Sequence, residues 1–282
     1  LILGGVREVL EQQFQRSSPL EQEIITWLAI EREPVSRDAL KDDLVGAVPA
    51  MELVAALQSL RRRSLVEKSG ADFTLQNVVM EYAIEWLIEQ VCQEINQESV
   101  GLLGSHALIK AQASNYIRQS QTRLILKPAA ERLLARVSRE GTEQRIVRIL
   151  IRLKEAQPAP PDYTAGNLLN LLVQLHSDLS RFDFSGLNIR QAYLANAEVQ
   201  DVDFAGAKFQ QAVFKETFGR VLSLAFGRDG NLLATGTTQG EVRLWQVATW
   251  QPLLTCRGHT NWVQSVAFSP DNKILASGGT DQ

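Results

Sequence analysis

Between residues 177 and 216 one pattern leaves the chain few ways to fold, because a central apolar residue returns every five positions through eight unbroken copies: Leu179, Phe184, Ile189, Leu194, Val199, Phe204, Phe209 and Phe214. Two places before each stands a small or apolar residue: Ser177, Phe182, Leu187, Ala192, Ala197, Val202, Ala207 and Ala212. A helix repeats its faces about every 3.6 residues and a strand about every 2, so neither keeps such a row on one side. Each five residues must turn one corner of a coil that takes the apolar positions inside. Asp183, Asn196 and Lys208 then face outward.

These copies resemble the pentapeptide-repeat family, which implies a right-handed β-helix of square section with the central residues along its axis. At about 4.8 Å between stacked strands, the segment makes a rod only on the order of 10 Å long. So short a solenoid needs caps. The apolar helical stretch 166–172 stands in the right place to close its N-terminal end.

A second repeat follows. Val221-Leu222-Ser223-Leu224-Ala225-Phe226 aligns with Val263-Gln264-Ser265-Val266-Ala267-Phe268 at an offset of 42, and the agreement continues from Asp229 with Asp271 to Gly236 with Gly278. Short alternating strands at that period are the mark of propeller blades. With Gly258-His259 and the strand Val242-Arg243-Leu244-Trp245, the segment 218–282 resembles the WD-repeat family. The resemblance implies an incomplete β-propeller of one complete and one truncated copy, and a polar network of His259, Ser277, Asp281 and Trp245. It implies a structural role for His259, and a protein or peptide ligand on the blades. The first copy departs from the pattern, with Thr217 at the His position, Gln239 near the Asp position and Gln246 in place of the Asp beside the Trp.

The N-terminal part reads as helical. Val6, Leu10 and Phe14 recur at a spacing of four, and Ser18-Pro19 with Glu21 has the spacing of a capping box ahead of Leu20, Ile24, Ile25, Trp27 and Leu28. A second helix is expected after Ser36, with Val35 and Leu40 as its hydrophobic staple. A third is expected near Pro49, placing Leu53, Val54, Leu57 and Leu60 inward and ending in Arg61-Arg62-Arg63. Leu65-Val66-Glu67 and Phe73-Thr74-Leu75 flank the turn chemistry of Ser69-Gly70-Ala71-Asp72. Three helices and a hairpin make a winged-helix arrangement over 1–77. If its third helix entered a DNA major groove, Arg61, Arg62 and Arg63 would meet phosphates. The alternative is a solvated basic helix end that suits the helix dipole.

The stretch from Phe73 to Ala83 resembles the end of the winged helix in the STAND-type regulatory ATPases, the NB-ARC and NACHT group. In that family an aromatic is followed by a Met-His-Asp triplet whose His touches the nucleotide phosphate. Here the triplet falls on Leu75, Gln76 and Asn77, and Gln76 cannot carry an imidazole's charge. The resemblance implies a nucleotide-binding domain upstream as the partner of this segment.

From 78 to 157 a helical arm is expected. Its stripes are Val79, Tyr82, Ala83, Trp86, Leu87 and Ile95, then Leu108 to Ile117, then Ile146 to Leu153, with a break where Lys127 precedes Pro128. His106 stands alone there and reads as a surface or core residue. Gln157-Pro158-Ala159-Pro160-Pro161 opens a linker and capping helix over 158–176.

The net charge of -3 speaks against a general nucleic-acid binder. Cys92 and Cys256, far apart, indicate neither a disulfide framework nor a metal site. With no membrane-length apolar run and no signal-peptide order, we expect a cytoplasmic protein. There is no Gly-rich loop followed by Lys and Ser or Thr, no cluster of metal ligands and no triad around His106, His176 or His259, so no catalytic residue and no cofactor are expected. The chain begins at Leu1 and ends on Gly278-Gly279-Thr280-Asp281-Gln282, inside a copy whose forerunner continues to Trp245. We expect a regulatory, protein-interacting piece of a larger signal-transduction NTPase, the alternative being a winged-helix transcriptional regulator.

Overall fold

The computed structural model describes residues 2–156, 162–195, 197, 199, 201–214, 220–248 and 251–281, the side chains of 2–6, 251 and 252 excepted. The proline-bearing linker 157–161, Asn196, Thr217, Gln282 and the Val6 side chain lie outside the described residues. The five segments expected from the sequence fall into two compact units, Leu1–Lys215 and Glu216–Gln282.

In the first unit α1 (Ile2–Gln15) leads into α2 (Pro19–Glu31). Ser18 Oγ accepts from the Glu21 amide at 3.2 Å and Glu21 Oε2 accepts from the Ser18 amide at 2.8 Å, so two of the helix's orphan donors are satisfied reciprocally. Ile24, Ile25, Trp27, Leu28 and Ile30 are all fully buried, which makes α2 a central rather than a surface helix. Ser36 caps α3 (Arg37–Asp43), and α4 (Ala50–Arg62) buries Leu53, Leu57 and Leu60 but leaves Val54 only half covered. Strands β1 (Val66–Ser69) and β2 (Asp72–Leu75) pair around Gly70 and Ala71, a turn shorter than the four residues expected. Val35 adds a bridge to Phe73, each amide donating to the other's carbonyl.

Helix α5 (Asn77–Gln97) buries Val79, Ala83, Leu87, Val91 and Ile95 against its neighbours, while Tyr82 and Trp86 meet the Phe14 ring. After the short α6 (Leu102–Ser105) the chain departs from expectation. The stretch from Leu108 is not helical until α7 (Asn115–Gln121). Ala107, Leu108, Ile109 and Ala111 are buried in irregular backbone, whose amides need partners that a helix would have given them. Side-chain amides supply these: Leu108 N donates to Asn167 Oδ1, Lys110 N to Gln121 Oε1 and Ala111 N to Gln191 Oε1, all at 2.8 to 2.9 Å.

The break expected at Lys127-Pro128 is also absent. A π-helical turn, Thr122–Leu126, joins α7 to α8 (Lys127–Arg136), and Lys127 keeps helical dihedrals. Proline in a helix lacks a donor and crowds the carbonyl four residues back. The wider turn, with Lys127 N donating to Thr122 O, shifts the ladder by one residue just ahead of Pro128 and lets the helix run on.

Helices α9 (Arg139–Glu155) and α10 (Thr164–Gln174) follow, then the five-residue segment. There β3 (Asn188–Arg190) pairs in parallel with β4 (Lys208–Gln210), and every partner lies twenty residues on, as Ile189 with Phe209; the bridges Asp183 to Asp203 and Tyr193 to Val213 keep the same offset. Leu179, Phe184, Ile189 and Leu194 are buried, whereas Phe204 and Phe209 are half-buried and Phe214 is exposed. Helix α10 packs against β3, and one cluster of apolar side chains runs from Phe14 to Leu194.

The second unit holds a four-stranded antiparallel sheet in chain order, β5 (Val221–Phe226), β6 (Leu232–Thr237), β7 (Glu241–Gln246) and β8 (Gln251–Arg257), and a hairpin of β9 (Val263–Phe268) and β10 (Leu275–Gly279). Ala234 and Val242 pack on Val263 and Val266. The sheets do not close into a ring among the described residues. Among those residues no helix is long and apolar enough to cross a membrane.

Candidate functional site

The polar residues singled out at the C-terminal end are set by the turns around the β9–β10 hairpin. Asp281 Oδ1 lies 2.8 Å from His259 Nδ1, and Oδ2 accepts from the Thr260 amide at 3.0 Å. With Nδ1–H donating to the carboxylate, the other ring nitrogen is left as an acceptor, and the Ser277 hydroxyl stands 3.0 Å from it. The His259 hydrogen bond first, then the Thr260 amide, holds the Asp281 carboxyl below its ordinary range. The triangle is partly open: the side chains of His259 and Asp281 keep 23% and 17% of their exposure.

Backbone geometry makes room for it. A Cβ on Gly279 would stand 2.3 Å from Asp281 Oδ1 and 2.7 Å from His259 Nδ1. Gly279→Ala is therefore expected to loosen the hairpin at least as much as His259→Ala, whose lost hydrogen bonds are worth about 1 kcal/mol each. Amide exchange at Thr260 and Val266 reads both changes, and a Gly279→Ala protein that exchanges like the parent would contradict the packing.

In the first copy the corresponding contact is made differently. Trp245 Nε1 donates to Thr235 Oγ1 at 3.2 Å, and Thr235 stands 42 residues before Ser277. Thr235 is reachable from the sequence through the repeat offset, which sets it opposite Ser277. Beside it, Glu241 lies buried with Arg243 (2.7 Å) and accepts from Arg257 at 3.0 Å. Burial pushes the Glu241 carboxyl up, and the two guanidiniums more than reverse this.

The other residues read from the sequence sit apart. Gln76 is exposed at the start of α5 and makes no side-chain cap there. Arg61 and Arg62 are exposed, but Arg63 turns inward. Its guanidinium bonds Gln13 O and Oε1 and Ser17 Oγ and lies 3.6 Å from Glu21, locking α1 to α2, so it is not placed to meet a phosphate. That partner set cannot be read from the charge run Arg61-Arg62-Arg63. His106 is a core residue: it stacks on Trp27, lies 2.8 Å from Ser105 Oγ and 3.2 Å from Glu23 O, and burial pushes its pKa down to about 4. Among the described residues no three His, Cys, Asp or Glu side chains are grouped to hold a metal.

The family model for the WD domain, G-beta repeat, matches residues 209–246 and 250–282. The chain is 45% identical, over 94% of its own length, to an uncharacterized WD repeat-containing protein of Nostoc sp., alr2800, and spans only 24% of that relative. A second uncharacterized WD repeat-containing protein of Nostoc sp., alr3466, is 45% identical over 37% of the chain and 7% of the relative. Human apoptotic protease-activating factor 1 is 41% identical over 22% of the chain and 6% of its own length. The C-terminal end of the chain, with its 42-residue offset, its sheet-and-hairpin geometry and the family match, is built of WD repeats.

Proposed function

We propose that this chain is a non-catalytic, protein-interacting part of a larger signal-transduction NTPase of the STAND type, in which the WD repeats receive a protein or peptide. The observation that carries this reading is the pairing of WD repeats with a helical unit along a chain similar over 94% of its length to a WD repeat-containing protein. WD repeats commonly serve as interaction surfaces, and propellers offer faces rather than reactive groups. His259 supports the same view, because both of its ring nitrogens are engaged by Asp281 and Ser277. The partial similarity to a factor whose name is protease-activating accords with a regulatory role.

In this reading the helices α2 to α4 with the β1–β2 hairpin form a winged helix. The parallel pairs twenty residues apart form a coil of the pentapeptide-repeat type, each turn taking four five-residue copies. Nucleotide chemistry belongs to another part of the longer protein, in the cytoplasm. The chain alone is then expected to give no saturable heat when titrated with ATP and magnesium, because it lacks a loop to cradle phosphates. A saturable signal at micromolar ATP would overturn the non-catalytic reading.

A further inference from the structure

We propose that the groove between α3, α4 and the β1–β2 hairpin docks an acidic peptide segment of a protein partner, one apolar side chain of which seats on the groove floor. The groove has a volume of about 420 Å³, with Val54, Leu57 and Phe73 below and Arg37, Arg61 and Lys68 on its rim. Three cations against the single carboxylate of Asp38 make a local excess of positive charge on a chain whose net charge is -3. Among the described residues Arg37 pairs only with its neighbour Asp38 at the surface, a contact worth little and readily exchanged. Among the described residues, Arg61 and Lys68 have no ion pair at all.

The floor decides which anion fits. Phosphates of a duplex gain nothing from Val54 and Phe73, and a duplex contact needs several cations along one track. Here the third Arg of the run is turned inward onto Gln13 and Ser17, and Glu52 is exposed on the same helix. An acidic peptide uses both features, its carboxylates taken by the rim and an apolar residue covered by the floor. The face of α4 that carries Val54 and Arg61 continues to Met51, which is 85% exposed and extends the apolar end of the same stripe.

The test pans displayed random peptides on the full chain and measures the enriched peptides by fluorescence anisotropy. Enriched sequences should be acidic with an apolar residue among them. Their affinity should fall about tenfold or more in the double variant Arg61→Glu, Lys68→Glu and stay within about threefold in Arg61→Lys, Lys68→Arg. Both side chains are exposed, so an unchanged circular dichroism spectrum and melting point are expected for each variant. Failure to enrich acidic sequences overturns the proposal, and so does binding that survives charge reversal. Displacement of the peptides by a random-sequence duplex at lower concentration would assign the groove to nucleic acid instead.

Discussion

Gly166→Ala should unfold the first unit or leave it expanded, with a loss above about 4 kcal/mol, although it adds a single methyl group. Helix α10 approaches β3 so closely that a Cβ at this position would stand 1.8 Å from Arg190 O and 2.9 Å from its carbonyl carbon. Backbone on both sides of the contact leaves no flexible side chain to swing away. Nor can the helix slide. Asn167 accepts from Leu108 N and donates to Leu103 O and His106 O, and Asn170 donates to Gln191 O and accepts from Tyr193 N. Retreat by α10 would break these bonds and strand buried amides, each costing about 1 to 3 kcal/mol. Gly258→Ala, where nothing lies within 4 Å, is the control and should be nearly silent. Amide exchange at Leu168 and at Leu233 reads the two units separately. Leu168 should lose its protection in Gly166→Ala while Leu233 keeps its own, and slow exchange at Leu168 would refute the close approach.

Features that repeat or act within a few residues were legible in the sequence. The capping box at Ser18 and Glu21 needs only a spacing of three. The copies at an offset of 42 carry the WD-repeat resemblance, which implies that His259, Ser277 and Asp281 belong together, and His259 lies 2.8 Å from Asp281 and 3.0 Å from Ser277. Failures came where the deciding partner is distant. The apolar run from Leu108 suits a helix by composition, but its amides bond Asn167 and Gln191, 59 and 80 positions away from Leu108 and Ala111. Periodicity has no access to such pairs, and short apolar runs carry no period of their own. The inward turn of Arg63 is illegible for the same reason, since a charge run shows a charge and not its partner 50 residues back at Gln13. At Pro128 the local rule was sound, and a local exception, the π-helical turn, met it.

The same buried segment carries the second large effect, expected for Lys110→Met. Lys110 Nζ lies 2.5 Å from Glu31 Oε1 on α2 and 2.9 Å from Asp43 Oδ2 on α3, so one ammonium joins two carboxylates to the irregular stretch. Burial disfavours its charge, but both carboxylates hold it protonated above the ordinary amine range. Removing the cation leaves Glu31 and Asp43 facing each other in the interior, at an expected cost of about 3 to 5 kcal/mol near pH 8. The loss should shrink in acid. Burial first, and a hydrogen bond with Asp43 next, push the Glu31 carboxyl from its ordinary 4.5 up to about 7, while Lys110 pulls it down. A carboxyl that keeps its proton longer in the folded state contributes stability that is full below pH 4.5 and lost as the pH rises through about 7. Without Lys110 the folded value rises further, which steepens this slope in the variant. His106 works the other way, because burial lowers it from 6.5 to about 4 and its neutral form loses stability as the pH falls across that range. His106 is present in both proteins and cancels from their difference. The measurement is native-state exchange at Ile30, corrected for intrinsic rate, in parent and variant from pH 5 to 8. A difference that narrows steadily toward pH 5 is expected; one that stays constant, or widens in acid, would show that the two carboxylates do not depend on Lys110 for their burial.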